Sequence, residues 1–527
     1  MPKLFERRHI SNLHLWLGGV LLCFFVFYKN TLSIAPPKYF NDFQHDSESL
    51  VLGKIIADKA GLKIAHGANL SYVTVGEFSY DPAHVYQAYE LLDDSPLPDL
   101  EISTLDLSDN NWIHGFLRSS AGLVVPASQK GIKKYVGHTI TVGDGIDRRV
   151  ESVEDEGQYV NVKLLGPKID GAAIGFPNRI KISGHPAPHN ILAAYPYVSQ
   201  YGLQGKLFSA LHNTAAFEIR DLYKLNVALL ALIITGLAFC YARIVSFEFS
   251  ILFFASVILS PWMTSYARNL YWVPFTWFLP ALIAAMYHLT TKPIVRVALL
   301  ALLYLSFVIK CLSGYEYISS VILFAASTFG FTLIASKSRT DKTQALKEFL
   351  LVCIVGVLGF MTALLLHAGM RGDTILKGLA AIYEQDVKRR TYADPASFPP
   401  AFAQSLLASP WQVVKIYLVD WDTEVIKGVS GKYFVLLVAT SVATVIYKFS
   451  SKHLSRFRDL GVLLAFALGP LSWFILAKGH SFIHTHLNYA LWYFGFVAAC
   501  LFVTYNGVRI LVIRAVAWLR AANELDY

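Results

Sequence analysis

Asp42, Asp46 and Glu48 place three carboxylates within seven residues, around the tetrapeptide His45-Asp46-Ser47-Glu48. A carboxylate beside a substrate hydroxyl can take its proton as that oxygen attacks, so this cluster is a candidate general base. Asp46 leads, with Asp42 and Glu48 close enough to take the role instead. The same residues suit a helix start, because Asp46 or Ser47 can cap the SESLVLGK segment and complement its dipole.

A second pattern suits anions. Lys388, Arg389 and Arg390 stand together in VKRRTYADP, and an Arg fork can neutralise a phosphate in bidentate fashion. Arg268 in SYARNLYW, Lys310 in IKCLSGYEY and Arg371 are further phosphate candidates, with Tyr315 and Glu316 beside Lys310. Each lies where an apolar run ends, and a charge near hydrocarbon is usually paired or faces a cavity. Snorkelling to the interface is the competing role for any single Lys or Arg. His480, His484 and His486 fit a helix end poorly and have no nearby Cys or Asp to complete a metal set. Hydrogen bonding to substrate oxygens, chiefly by His484 and His486, is the preferred reading. Asp420-Trp421-Asp422 matches a D-x-D pattern too short to assign a metal, and Trp421 suits ring stacking or an interfacial belt. There is no phosphate-binding glycine loop, G-x-S-x-G elbow or H-E-x-x-H. No metal ligand or cofactor is assigned, although the carboxylates leave room for a divalent cation.

The elements that must carry these residues are mostly apolar. The chain has 527 residues, 54% hydrophobic and only 16% charged. Soluble domains carry about 25% charged residues. Runs near 13–28, 225–242, 248–265, 271–289, 296–312, 314–336, 348–369, 432–447, 460–477 and 485–506 approach the 20 or so residues that span a bilayer. About ten transmembrane helices are therefore expected. The first is an uncleaved anchor, since no small-residue cleavage site follows it. With the N-terminus cytoplasmic, Arg243, Lys292, Arg296, Lys337 to Lys347, Lys448 to Arg458 and Arg509 to Arg520 all fall on the inner side. The net charge of +9 is then mostly anchoring charge and gives no argument for nucleic acid. The five cysteines all fall in apolar runs, so no disulfide framework is expected.

Division of the chain follows. Residues 1–28 form the N-terminus and first span, and 29–224 a large outer loop. Residues 225–370 carry spans two to seven, 371–431 a second outer loop, and 432–527 the last three spans and tail. Within the large loop, 41–92 reads as helical. Residues 112–183 read as a β-rich block of short alternating runs separated by GDG, DEG and GPKIDG turns, and suit a small barrel or sandwich. Residues 190–224 read as helical, with PYVSQYGLQGKLFSALHN amphipathic enough to lie at a membrane surface.

An acid in the first outer loop, basic residues in later outer loops and a multi-span bundle resemble the C-type (GT-C) superfamily of integral-membrane glycosyltransferases. ARNLYWVPFTWFLP, KCLSGYEYIS and HSFIHTHLNYALWYFGF are also similar to stretches of bacterial membrane proteins associated with surface polysaccharides. The resemblance implies a bacterial inner-membrane enzyme working on the periplasmic side. It would move a sugar from a polyprenyl-phosphate donor to a glycan, lipid or protein acceptor, with Asp46 where the superfamily places its catalytic acid. Arg268 and Lys388 to Arg390 match its phosphate binders by side and loop. The β-block inside the first loop departs from the commonest pattern and leaves acceptor type open. An O-antigen polymerase or ligase and a lipid-linked sugar flippase are the alternatives. The largest outer loop coming first argues against a polymerase or ligase. The lack of an internal repeat, with polar residues at the outer boundary, argues against a flippase.

Overall fold

The computed structural model describes residues 2–41, 43–59, 61, 64, 68–75, 112–119, 122–126, 136–137, 139–142, 146–155, 159–168, 178–182, 192–215, 217–397, 400–421 and 423–525. Asp42, Asp422 and the Arg389 side chain lie outside the described residues.

Helix α1 (Pro2–Lys29) carries the first apolar run, followed by α2 (Pro37–Asn41) and α3 (His45–Lys59). Strand β1 (Ser71–Val75) leads into β2 (Trp112–Ser119), β3 (Gly122–Pro126), β4 (Thr139–Val142), β5 (Asp147–Asp155), β6 (Tyr159–Leu165) and β7 (Asn178–Ile182). Strand β8 (Leu192–Pro196) leads out again to α4 (Leu203–Ala215). The bundle continues with α5 (Ile219–Ile244), α6 (Phe247–Ile258), α7 (Pro261–Tyr266), α8 (Phe275–Leu289), α9 (Pro293–Ser313), α10 (Ile318–Ala335) and α11 (Arg339–Arg371). After α11 come α12 (Ile375–Ile382), a π turn (Tyr383–Val387), α13 (Pro400–Leu407) and α14 (Pro410–Val419). The hairpin β9 (Glu424–Ile426) and β10 (Val429–Ser430) precedes α15 (Phe434–Ser450), α16 (Arg456–Leu476), α17 (Lys478–Ile483) and α18 (Phe496–Leu525).

Seven of these helices are long and apolar enough to cross a bilayer: α5, α9, α10, α11, α15 with its leading turn, α16 and α18. Shorter apolar helices, His14–Lys29, Phe247–Ile258 and Phe275–Leu289, occupy the other three places where spans are expected. Only 22% of the apolar window of α11 is buried, and Leu350, Ile354, Val357 and Leu358 stand exposed along it. In water so large an apolar face is a liability, whereas hydrocarbon removes its cost. The chain is a multi-pass helical membrane protein.

Prolines and caps set the breaks that hydropathy alone runs through. The expected span 248–265 is interrupted because α6 ends at Ile258 and the chain restarts at Pro261. There the Ser260 hydroxyl accepts from Met263 N at 3.1 Å. The run expected from 271 becomes helical only at Phe275, since Pro274 disfavours helix at Val273, which takes a positive φ. In place of a helix from 485 there is a 3₁₀ turn, Asn488–Tyr493, before α18 begins.

The β-block closes into a six-stranded antiparallel barrel, ordered β2-β3-β6-β5-β4-β7. Closure removes the open edges that a small sheet would otherwise expose. Buried Arg148 is satisfied by the carbonyls of Ile146, Pro167 and Lys168 at 3.0, 2.7 and 3.2 Å. Of the stretches expected to be helical, 76–92 lies outside the described residues; α3 and α4 are helical, whereas β1 and β8 pair antiparallel, Ser71 with Pro196 through Val75 with Leu192. A pairing across so long a separation leaves no local periodicity to read. The expected surface helix is α4. It lies against α3, with the Ser209 hydroxyl donating to Asp58 and the Asn213 amide to Ile55 O. Gly205 permits the approach of α4 to the Asn69–Leu70 segment just before β1, since a Cβ there would lie 2.0 Å from the Asn69 carbonyl oxygen.

At the opposite end of the bundle, buried Lys448 pairs with Asp459, and Arg296 pairs with Glu348. Those pairs tie α15 to α16 and α9 to α11.

Candidate functional site

The charged candidates gather at the end of the bundle that carries the barrel. Arg371, the last residue of α11, forms a buried ion pair with Asp386 and also donates to Gln385 Oε1. Its Nε–H is buried and has no hydrogen-bond partner among the described residues. Asp386 lies in the π turn, a widened helical turn of the kind frequent at functional sites. Arg390 follows one turn later and approaches Asp386 Oδ1 at 3.9 Å and Glu316 Oε1 at 3.8 Å. The Gln200 amide, just beyond β8, donates to Glu316 Oε1 at 2.7 Å. Tyr197 and Tyr271 complete the surroundings of Arg390. Burial works against the Arg390 charge, yet Asp386 and Glu316 outweigh it and hold the guanidinium above its ordinary pKa.

Lys310 and Tyr315 stand on the flank of this network. Lys310 Nζ donates to Gly314 O at 2.6 Å and lies within electrostatic reach of Glu316. The Tyr315 hydroxyl meets His367 Nδ1 at 3.1 Å, and the other His367 ring nitrogen meets Val198 O at 2.9 Å. By formal charge, three cations (Lys310, Arg371, Arg390) stand against two carboxylates (Asp386, Glu316). Such an arrangement attracts an anion and can hold a phosphate by its guanidinium donors.

The turn from Gly314 to Tyr317 aims Glu316. Gly314 has φ +154°, and Tyr317 sits in the left-handed region at φ +67° although fully buried. A Cβ on residue 314 would lie 2.7 Å from Glu316 Oε2, so only glycine lets the carboxylate pack this closely against the turn.

The first-loop acids divide differently from expectation. Glu48 is buried, accepting Leu270 N–H at 2.8 Å on one oxygen and the Tyr223 hydroxyl at 3.2 Å on the other. It acts as a strut between α3 and the 267–274 loop. Asp46 stands exposed in the first turn of α3, within the helix and not at its cap. Arg268 belongs to the strut as well. Its guanidinium lies 3.8 Å over the Phe40 ring and donates to Phe40 O at 2.6 Å. Asn269 bonds Phe43 O at 3.1 Å through its amide. Through its Oδ1 it accepts Tyr271 and Trp272 N–H at 3.0 and 3.1 Å.

Lys388 pairs with Glu384 at 2.6 Å, and that hydrogen bond holds its pKa above the ordinary value. The turn carrying Lys388 to Arg390 packs against α17, which bears His480. The histidines do meet: the His480 and His484 ring centroids lie 4.6 Å apart, and those of His484 and His486 5.7 Å. Among the described residues no group of three His, Cys, Asp or Glu is placed to share a metal ion. Trp421 is buried between Phe434 and Tyr489, its indole N–H bonded to Tyr417 O at 2.9 Å, so it belongs to the core.

Sequence reading missed Gln200, Tyr197, Tyr271, His367 and Asp386. Only Asp386 left a signal, its i, i+4 spacing from Arg390. No family model, curated protein or solved structure matches the chain.

Proposed function

We propose that this chain is an inner-membrane glycosyltransferase that moves a sugar from a polyprenyl-phosphate carrier to a glycan, lipid or protein acceptor on the periplasmic side. One observation carries the reading: the Arg371–Asp386–Arg390–Glu316 network, with Lys310 on its flank, at the barrel end of a membrane bundle. Transfer from a lipid phosphate releases a phosphate whose charge must be neutralised as the glycosidic bond breaks. Arg390 and Arg371 supply fixed guanidinium donors, and Lys310 adds a third cation beside them. Preorganised donors in a site shielded from water are the largest single source of such stabilisation. The Lys/Arg bias of the short loops supports a periplasmic position for this end. The barrel stands on the same side and is suited to meeting an acceptor.

Arg390→Gln tests the reading in cells whose surface glycan is defined by mass spectrometry. At equal protein level, loss of a single glycan sugar supports a transferase, and an unaltered glycan overturns it. A lost polymer ladder would point to a polymerase. Protein-dependent movement of a labelled lipid-linked sugar across liposomes, without transfer, would point to a flippase.

A further inference from the structure

We infer that Glu316 is the general base that takes the acceptor's proton, in place of the acids of the first outer loop. The inference rests on the glycosyltransferase reading.

A base for this reaction needs an oriented carboxylate with one oxygen uncommitted, beside the cations that hold the leaving phosphate. Glu316 meets each requirement. Its Oε1 is held by the Gln200 amide at 2.7 Å and faces Arg390 at 3.8 Å. No hydrogen bond reaches Oε2 among the described residues, and Oε2 packs against Gly314, where a Cβ would lie 2.7 Å from it. The residue is 6% exposed, so water competes little for the carboxylate. The backbone that aims it is strained, with Tyr317 left-handed and buried. A conformation costing about 1–3 kcal/mol persists only where surrounding structure over-determines it.

The other network carboxylate and the buried first-loop acid are otherwise engaged. Asp386 gives one oxygen to Arg371 and turns the other towards Arg390. Glu48 gives its oxygens to Leu270 N–H and the Tyr223 hydroxyl.

In the step that follows, Glu316 Oε2 removes the proton of the acceptor hydroxyl. The freed oxygen forms a bond to the anomeric carbon, and the bond from that carbon to the phosphate oxygen breaks. The electron pair leaves with the phosphate, against Arg390 and Arg371. Proton, bond and charge balance without a further reactant.

The test compares wild type, Glu316→Gln, Glu316→Ala and Asp46→Asn as full-length protein. Sugar transfer is read on the surface glycan of spheroplasts. Binding of undecaprenyl phosphate is read on purified protein in nanodiscs. Glu316→Gln is expected to lose transfer by about 10²–10⁴-fold, while binding undecaprenyl phosphate within about threefold of wild type. Added formate should restore part of the transfer of Glu316→Ala, which a structural role would not allow. Asp46→Asn should transfer nearly as wild type does. Wild-type transfer by Glu316→Gln overturns the assignment, as does loss of transfer confined to Asp46→Asn, and in both cases the glycosyltransferase reading stands. A wild-type protein that neither transfers sugar nor binds undecaprenyl phosphate removes both.

Discussion

Gln200 and Glu316, 116 residues apart in the chain, are joined by a 2.7 Å hydrogen bond from the amide to carboxylate Oε1. The bond ties the connector leaving the barrel to the turn that opens α10, and it fixes which carboxylate oxygen stays available. Gln200→Leu should therefore leave the Glu316 carboxylate in place but less well aimed. Transfer is expected to fall by about tenfold to a hundredfold, with undecaprenyl phosphate binding unchanged. Parallel glycan and nanodisc-binding measurements check this, and an equal loss in both would sink it.

Arg371 and Asp386 form a buried pair, so removing one partner strands a charge. Asp386→Ala is expected to cost about 3–5 kcal/mol. The double variant Arg371→Met with Asp386→Leu should recover much of that while losing function. Heat-induced aggregation of the detergent-solubilised proteins gives the comparison, and a single variant as stable as wild type would contradict it.

Gly314→Ala adds one methyl group at φ +154°, with its carbon 2.7 Å from Glu316 Oε2. Backbone strain should cost about 1–3 kcal/mol, and the carboxylate must move aside. Transfer is expected to fall although every charged group remains. A fully active, normally stable Gly314→Ala protein would show that the carboxylate does not need this position.

Glu48 is expected to matter for structure. Glu48→Ala strands the buried Leu270 N–H, at a cost of about 1–3 kcal/mol, and should speed hydrogen exchange across residues 267–274. Glu48→Gln keeps an acceptor for that N–H and should preserve both protection and transfer. Transfer lost in Glu48→Gln with protection intact would return Glu48 to a chemical role.

The helical bundle was legible because hydropathy over some twenty residues is a local quantity, as α5, α9 and α11 illustrate. The small barrel was legible for a similar reason: alternating runs such as QYVNVKL and glycine turns are local too. Element ends were less so, since the Ser260-Pro261 restart lies inside an unbroken apolar run. Arg371, Arg390, Lys310, Tyr315 and Glu316 could be picked out singly as charges or polar groups at span ends. Their convergence could not, because it depends on which loops meet. Gln200 shows the limit most sharply. It is an ordinary amide in YVSQYG until the β1–β8 pair places it against Glu316. Asp46 and Glu48 show the reverse, since position in the loop suggested chemistry while Glu48 is held between Leu270 N–H and the Tyr223 hydroxyl.

The β1–β8 pair sets Val75 opposite Leu192, so the chain that leaves for the barrel returns to where it left, about 5 Å away. A segment whose two ends meet can be shortened, lengthened or exchanged without moving either neighbour. The bundle and the 76–191 excursion can thus diverge at separate rates. A lineage can keep its membrane machinery and alter, over evolutionary time, only what stands above it.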